Sequence, residues 1–95
     1  MSDVINQAVE ILNTKMAGGI DGTAKFVLGD EGSIIVDSDG ARASDDDADV
    51  TMTAEADVFQ SILEGDTNPT AAFMTGKLKI DGDMGMAMKL AGSLG

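Results

Sequence analysis

Apolar and polar positions divide the chain into stretches of two different periods. Between residues 3 and 17, Val4, Ile5, Ala8, Val9, Ile11, Leu12 and Met16 share one face at helical spacing. Asn6, Gln7, Glu10, Asn13 and Thr14 share the other. The spacing predicts an amphipathic helix over 3–17, stopped by Gly18-Gly19. The period then falls to two. In "TAKFVLGD" Ala24, Phe26 and Leu28 alternate with Lys25 and Val27, which predicts a half-buried strand. Gly29-Asp30-Glu31-Gly32 reads as a turn and "SIIVDSDG" as the return strand of a hairpin. Residues 40–43 allow a short third strand, Ser44-Asp45-Asp46-Asp47 a charged loop, and "ADVTMT" another strand with Val50 and Met52 facing inward.

Helical spacing returns from about Glu55 to Glu64, presenting Val58, Phe59, Ile62 and Leu63. Residues 65–69 break it, and Pro69 is placed to open a short helix through Phe73 and Met74. "GKLKIDG" then alternates, Leu78 and Ile80 inward and Lys77, Lys79 and Asp81 outward, before a last helix that begins near Asp83. No internal repeat is visible. The order helix, strands, helices, strand, helix predicts an α+β domain.

Length and composition narrow the function more than the fold. Ninety-five residues are expected to form one domain, 1–95, with a modest core. The chain has no cysteine, so neither disulfides nor thiolate metal sites supplement that core, and no histidine, which excludes His-dependent triads and the usual zinc and copper ligand sets. A net charge of -11 argues against nucleic acid as a partner and against broad contact with an anionic bilayer. The charge keeps a methionine-rich chain in solution. No segment is long and apolar enough to span a membrane. "MSDVINQAVEIL" lacks a basic n-region, and the last residues, Ser93-Leu94-Gly95, are not the Ser-Lys-Leu address. The expected compartment is the cytoplasm.

The motifs that resemble reactive sites do not complete themselves. Gly76-Lys77 is followed by Leu78, and Ala71 stands where a phosphate loop needs its first glycine. Gly82-Asp83-Met84-Gly85 lacks the glycines of a dinucleotide fingerprint. Asp37-Ser38-Asp39-Gly40 lacks the third ligand and the distant glutamate of a calcium loop. Asp45, Asp46, Asp47 and Asp49 read as solvated turn residues. Ser33 and Ser61 have no histidine to activate them. Neither a metal, a cofactor nor a catalytic group is expected, and the chain reads as a non-enzyme.

The methionines change the picture. On a helical wheel Met84, Met86, Ala87, Met88, Leu90, Ala91 and Leu94 cover roughly 200°, wider than the stripe of about 100° on an ordinary surface helix. Lys89 and Ser93 mark the narrow polar side. Plain core filling accounts for part of such an arc; a partner chain, a membrane or a ligand would cover the rest. Methionine moulds itself to irregular apolar shapes. Phe73, Met74, Leu78, Ile80 and Met84 are expected to converge on one end of the sheet, around an apolar pocket.

"NPTAAFMTGKLKIDGDMGMAMKL", residues 68–90, closely resembles the C-terminal signature of the sterol carrier protein type two family, and "TAKFVLGDEGSIIVD" and "ADVTMTAEADVFQSILEG" match its upstream order. The resemblance runs from Thr23 to Leu90. It implies a mostly antiparallel five-stranded sheet covered on one face by helices. A hydrophobic tunnel between them would take up a fatty acid, acyl-CoA, phospholipid or sterol without catalysis. Carried onto this sequence, it makes Phe26, Ile35 and Met52 the tunnel floor and assigns Phe59 and Leu63 to the middle helix wall. Phe73, Met74, Leu78, Ile80, Met84, Met88 and Leu90 would form the rest. The chain departs from the family pattern in its short lead from Gly19 to Thr23, its short loop at Asp45, and Ile34-Ile35-Val36 where tryptophans are often found. A shorter cover favours an acyl chain over a sterol. Two alternatives stay open: transient contact with a membrane, and a protein-interaction module that pairs with its own copy or serves a lipid-related enzyme through the apolar last helix.

Overall fold

A computed structural model describes residues 3–15, 19–20 and 22–94, with side chains as far as Leu90. The elements run α1 (Asp3–Lys15), β1 (Ala24–Leu28), β2 (Ser33–Asp37), β3 (Gly40–Ala43), β4 (Val50–Ala54), α2 (Ala56–Leu63), α3 (Pro69–Met74), β5 (Leu78–Gly82) and α4 (Met84–Leu94). Each predicted element is present. Met16 and Gly18, placed at the end of the first helix from the sequence, lie outside the described residues, as do the side chains of Ala91 and Leu94.

The strands form one sheet in the order β3-β2-β1-β4-β5. Three of its pairings are antiparallel, whereas β1 and β4 run parallel at the centre, Phe26 opposite Met52. The sheet is therefore mixed, a refinement of the mostly antiparallel expectation. Alternation sends Ala24, Phe26, Leu28, Ile34, Val36, Val50, Met52, Ala54 and Leu78 to one face, where they meet Ile5, Ala8 and Leu12 of α1, Phe59, Ile62 and Leu63 of α2, Ala72 of α3, and Ala87 and Leu90 of α4. The Phe26 and Phe59 rings pack edge to face at 5.1 Å. Among the described residues no buried side chain is polar or charged, and no helix is long and apolar enough to cross a membrane.

Ile35 does not belong to that face. It pairs with Lys25 and Arg42, so the pleat points it away from the helices, yet it is fully buried. Residues 44–49 must carry the chain from edge strand β3 past β2 and β1 to β4, and they cross this outer face. Ser33 Oγ donates to Ser44 O (2.8 Å) and to Asp45 Oδ1 (3.1 Å), and Lys25 Nζ ion-pairs with the Asp45 carboxylate. The acidic segment crosses this face as a strap whose Asp45, Asp46 and Asp47 side chains are exposed, as the solvated-loop reading expects, and the placement of Ile35 in the inner floor is corrected.

The two sheet edges are finished differently. At β3 the Asn13 amide of α1 accepts from Ala41 N–H (2.8 Å) and donates to Ala41 C=O (3.1 Å), so one side chain satisfies both outward backbone groups of Ala41. Gly40 makes room for it: a Cβ there would lie 2.7 Å from Asn13 Oδ1. At β5 the outer positions Lys79, Asp81 and Gly82 are exposed.

Candidate functional site

Helices α3 and α4 cover the β4–β5 side of the sheet, and both are positioned by local chemistry. Asn68 caps α3, its Oδ1 accepting from the N–H of Thr70 (2.8 Å) and Ala71 (3.3 Å), with Pro69 at the first helical position. Asp83 does the same for α4, accepting from Met86 N–H at 3.1 Å. Gly82, between β5 and α4, has φ +102°, and a Cβ would stand 2.4 Å from Asp49 O. Only glycine lets the chain turn so tightly off the strand.

The tunnel residues inferred from the sequence separate into two groups. Phe26, Met52, Phe59, Leu63, Leu78 and Leu90 are buried together in the core, and Ile80 is half-buried beside them. Phe73, Met74, Met84 and Met88 instead face outward, 39%, 80%, 44% and 52% exposed, and they are the large apolar side chains exposed among the described residues. In α3 it is Ala72, not Phe73, that packs inward; in α4 it is Ala87 and Leu90. The expected convergence at one end of the sheet is also revised. Leu78 pairs with Ala54 and Gly82 with Val50, so Leu78 and Met84 stand at opposite ends of β5.

Among the described residues, the seam between α1 and α2 holds a void of only about 10 Å³, lined by Val4, Ala8, Ile11, Leu28, Phe59 and Leu63 among others. Ligand sites commonly enclose roughly 300–1,000 Å³. The roomy spaces are open clefts at the rim. One of about 670 Å³ runs between Ile20 and Gly22 on one side and α4 on the other, with Ile20, Met86 and Leu90 as its apolar lining and Asp49, Asp83 and Lys89 as its polar lining. Another of about 430 Å³ is bordered by Thr53, Glu55, Val58, Lys77 and Lys79. Ile20 and Gly22 were not legible as site residues. The sole signal, one isolated apolar residue in a glycine-rich link, is weak.

The two ion pairs between described residues lie on the other face. The Arg42 guanidinium, 2.7 Å away, holds the Asp37 carboxyl below the usual range, helped by the N–H of Asp39. Hydrogen bonds from Lys25 and then Ser33 do the same for Asp45. These are surface ion pairs, and no group of three acidic residues among those described is arranged to hold a metal.

The architecture and residues can now be set beside known proteins. The chain matches the model of the SCP-2 sterol transfer family over residues 5–95. It is 35% identical over 88 residues to hydroxysteroid dehydrogenase-like protein 2 of Bos taurus, an alignment covering 93% of this chain and 20% of that protein. The chain therefore spans about one fifth of the length of that curated relative. Sterol carrier protein 2 from Yarrowia lipolytica, in its apo form, superposes with a TM-score of 0.67 at 28% identity, over 97% of this chain and 81% of that one. Sterol carrier protein 2 of Aedes aegypti, solved in complex with palmitate, superposes with a TM-score of 0.80 at 20% identity, over 99% and 96%. The signature at residues 68–90, the helix-covered five-stranded sheet and the family match agree: this chain belongs to the SCP-2 sterol transfer family.

Proposed function

We propose that the chain is a non-enzymatic lipid-binding module that holds one long acyl chain between the sheet and α3–α4. The observation that carries this reading is that, among the described residues, the exposed large apolar side chains all lie on α3 and α4, the two helices covering β5. With an interior void of about 10 Å³, a lipid cannot simply drop into the closed form. Binding therefore displaces α4 from β4 and β5, and the acyl chain replaces the contacts of Ala87 and Leu90. Met84 and Met88 then fold over the ligand, as a flexible thioether side chain allows. Each Å² of apolar surface removed from water returns about 25 cal/mol, which offsets the opening. The palmitate complex of the Aedes aegypti protein supports an acyl ligand. Loading and release would occur during brief membrane contact through the same exposed residues.

The test is native mass spectrometry of protein purified without detergent, followed by extraction and identification of bound molecules. One acyl lipid per chain is the expected result. Met84→Asp and Met88→Asp should keep the fold, seen by circular dichroism, and lose the lipid. Undiminished lipid uptake by both variants would overturn the assignment. A lipid-free dimer that Met88→Asp dissociates would favour an interaction module instead.

A further inference from the structure

The unfinished edge of the sheet carries a pattern that the lipid reading does not use. Asp83 N–H donates to Asp49 C=O, and antiparallel pairs alternate in their bonding. Hence Lys79 and Asp81 bond inward to Thr53 and Thr51, and the backbone groups of Leu78, Ile80 and Gly82 point away from the sheet. No backbone partner meets them among the described residues. At the opposite edge Asn13 takes up the outward groups of Ala41; none of the side-chain hydrogen bonds assigned among the described residues does the same here.

The sequence along that edge is self-complementary in charge about Ile80: Lys77, Lys79, Ile80, Asp81, Asp83. We propose that a second copy of the chain adds here, β5 against β5, antiparallel and centred on Ile80. That register sets Lys79 of each copy opposite Asp81 of the other, and Lys77 level with Asp83. Ile80 faces its own counterpart. Its outward N–H and C=O then bond to those of the partner Ile80, and Leu78 pairs with Gly82. A shift by one residue to centre on Lys79 would oppose two lysines, which like-charge repulsion disfavours. A lone lysine-bearing edge would simply repel other strands; the two aspartates turn this one into a specific template. The two sheets would join into a continuous one across a two-fold axis. The inference does not depend on lipid, since Ile80 and its neighbours keep their edge whether α4 is seated or lifted.

Sedimentation velocity over a concentration series reaching the millimolar range tests it, together with amide exchange at low and high concentration. A dimer should form, and the Ile80 and Gly82 amides should become protected as it does. K79D should weaken association about tenfold by facing Asp81, and K79D/D81K should restore it. Both positions are exposed, and circular dichroism checks that the variants fold. A monomer at every concentration overturns the proposal. So does a dimer indifferent to K79D, a double swap that fails to recover, or protection that appears on α4 instead of at Ile80 and Gly82.

Discussion

If α4 leaves the sheet by fraying from its first turn, strengthening that helix should slow uptake by a calculable amount. Gly85 sits in its first turn, and its φ is not positive. A Cβ built there meets nothing closer than Asp83 Oδ1 at 3.4 Å, an ordinary contact with the end of a side chain. Gly85→Ala therefore adds no strain, and it removes the excess backbone entropy that glycine recovers on fraying, about 0.5–1 kcal/mol. If the lifted form is the one that admits lipid, its population falls about two- to five-fold, and the apparent affinity falls in proportion. Stopped-flow uptake of a fluorescent fatty acid and thermal unfolding, measured on the same samples, separate the cases. The expected result is a higher melting temperature with slower uptake and weaker binding by that factor. Unchanged or faster uptake in the stabilised variant would refute fraying of α4 as the route. Gly82→Ala provides the contrast, because its Cβ would collide with Asp49 O and its φ is unfavourable for alanine. That variant should be destabilised outright.

Three further outcomes follow from the packing and charges. Phe26→Ala empties the centre of the core and breaks the edge-to-face pair with Phe59, at a cost of about 3–5 kcal/mol. That is much of the stability of a chain this size, so its urea midpoint should collapse. Asn13→Ala strips both hydrogen bonds from the β3 edge, and because they are exposed the loss should be about 1 kcal/mol in denaturant unfolding. Asp37 and Asp45 are held below the ordinary aspartate value of about 3.9, so their contribution is complete above that pH and lost as pH falls through their lower folded values. Asp45→Asn should thus lower the melting temperature at neutral pH, with the difference from the parent protein shrinking as the pH falls through the lowered folded value.

How far the sequence speaks depends on whether a residue's role is local. Strict alternation in "GKLKIDG" and "TAKFVLGD" located β5 and β1, and helical spacing located α1 and α2, because those patterns report a single buried face. Ile35 could not be placed this way. It sits in an apolar run, Ile34-Ile35-Val36, whose period is ambiguous, and its cover is an acidic strap that reads as solvent-exposed. The wide arc of α4 announced that not all of it could be packed. Which part is buried depended on the fit of small Ala87 beneath the helix, which no spacing reveals. The same limit applies to the inferred site: the family signature names residues, but whether Phe73 and Met88 face in or out is a tertiary matter. Asn13, a plain polar-face residue by pattern, turned out to finish a sheet edge.

The parallel β1–β4 ladder has a consequence for how the chain folds. On one side of it lie β1, β2 and β3, joined by short turns; on the other lie β4, α2, α3, β5 and α4, also consecutive in sequence. Strands β1, β2 and β3 can organise through local contacts, whereas both the β1–β4 and the β4–β5 pairings join residues far apart along the chain and close a large loop before any contact rewards them. Parallel pairing is also slightly weaker per residue. The β1–β3 meander is therefore the unit expected to form first, with the pairings of β4 to β1 and to β5 engaging later in folding.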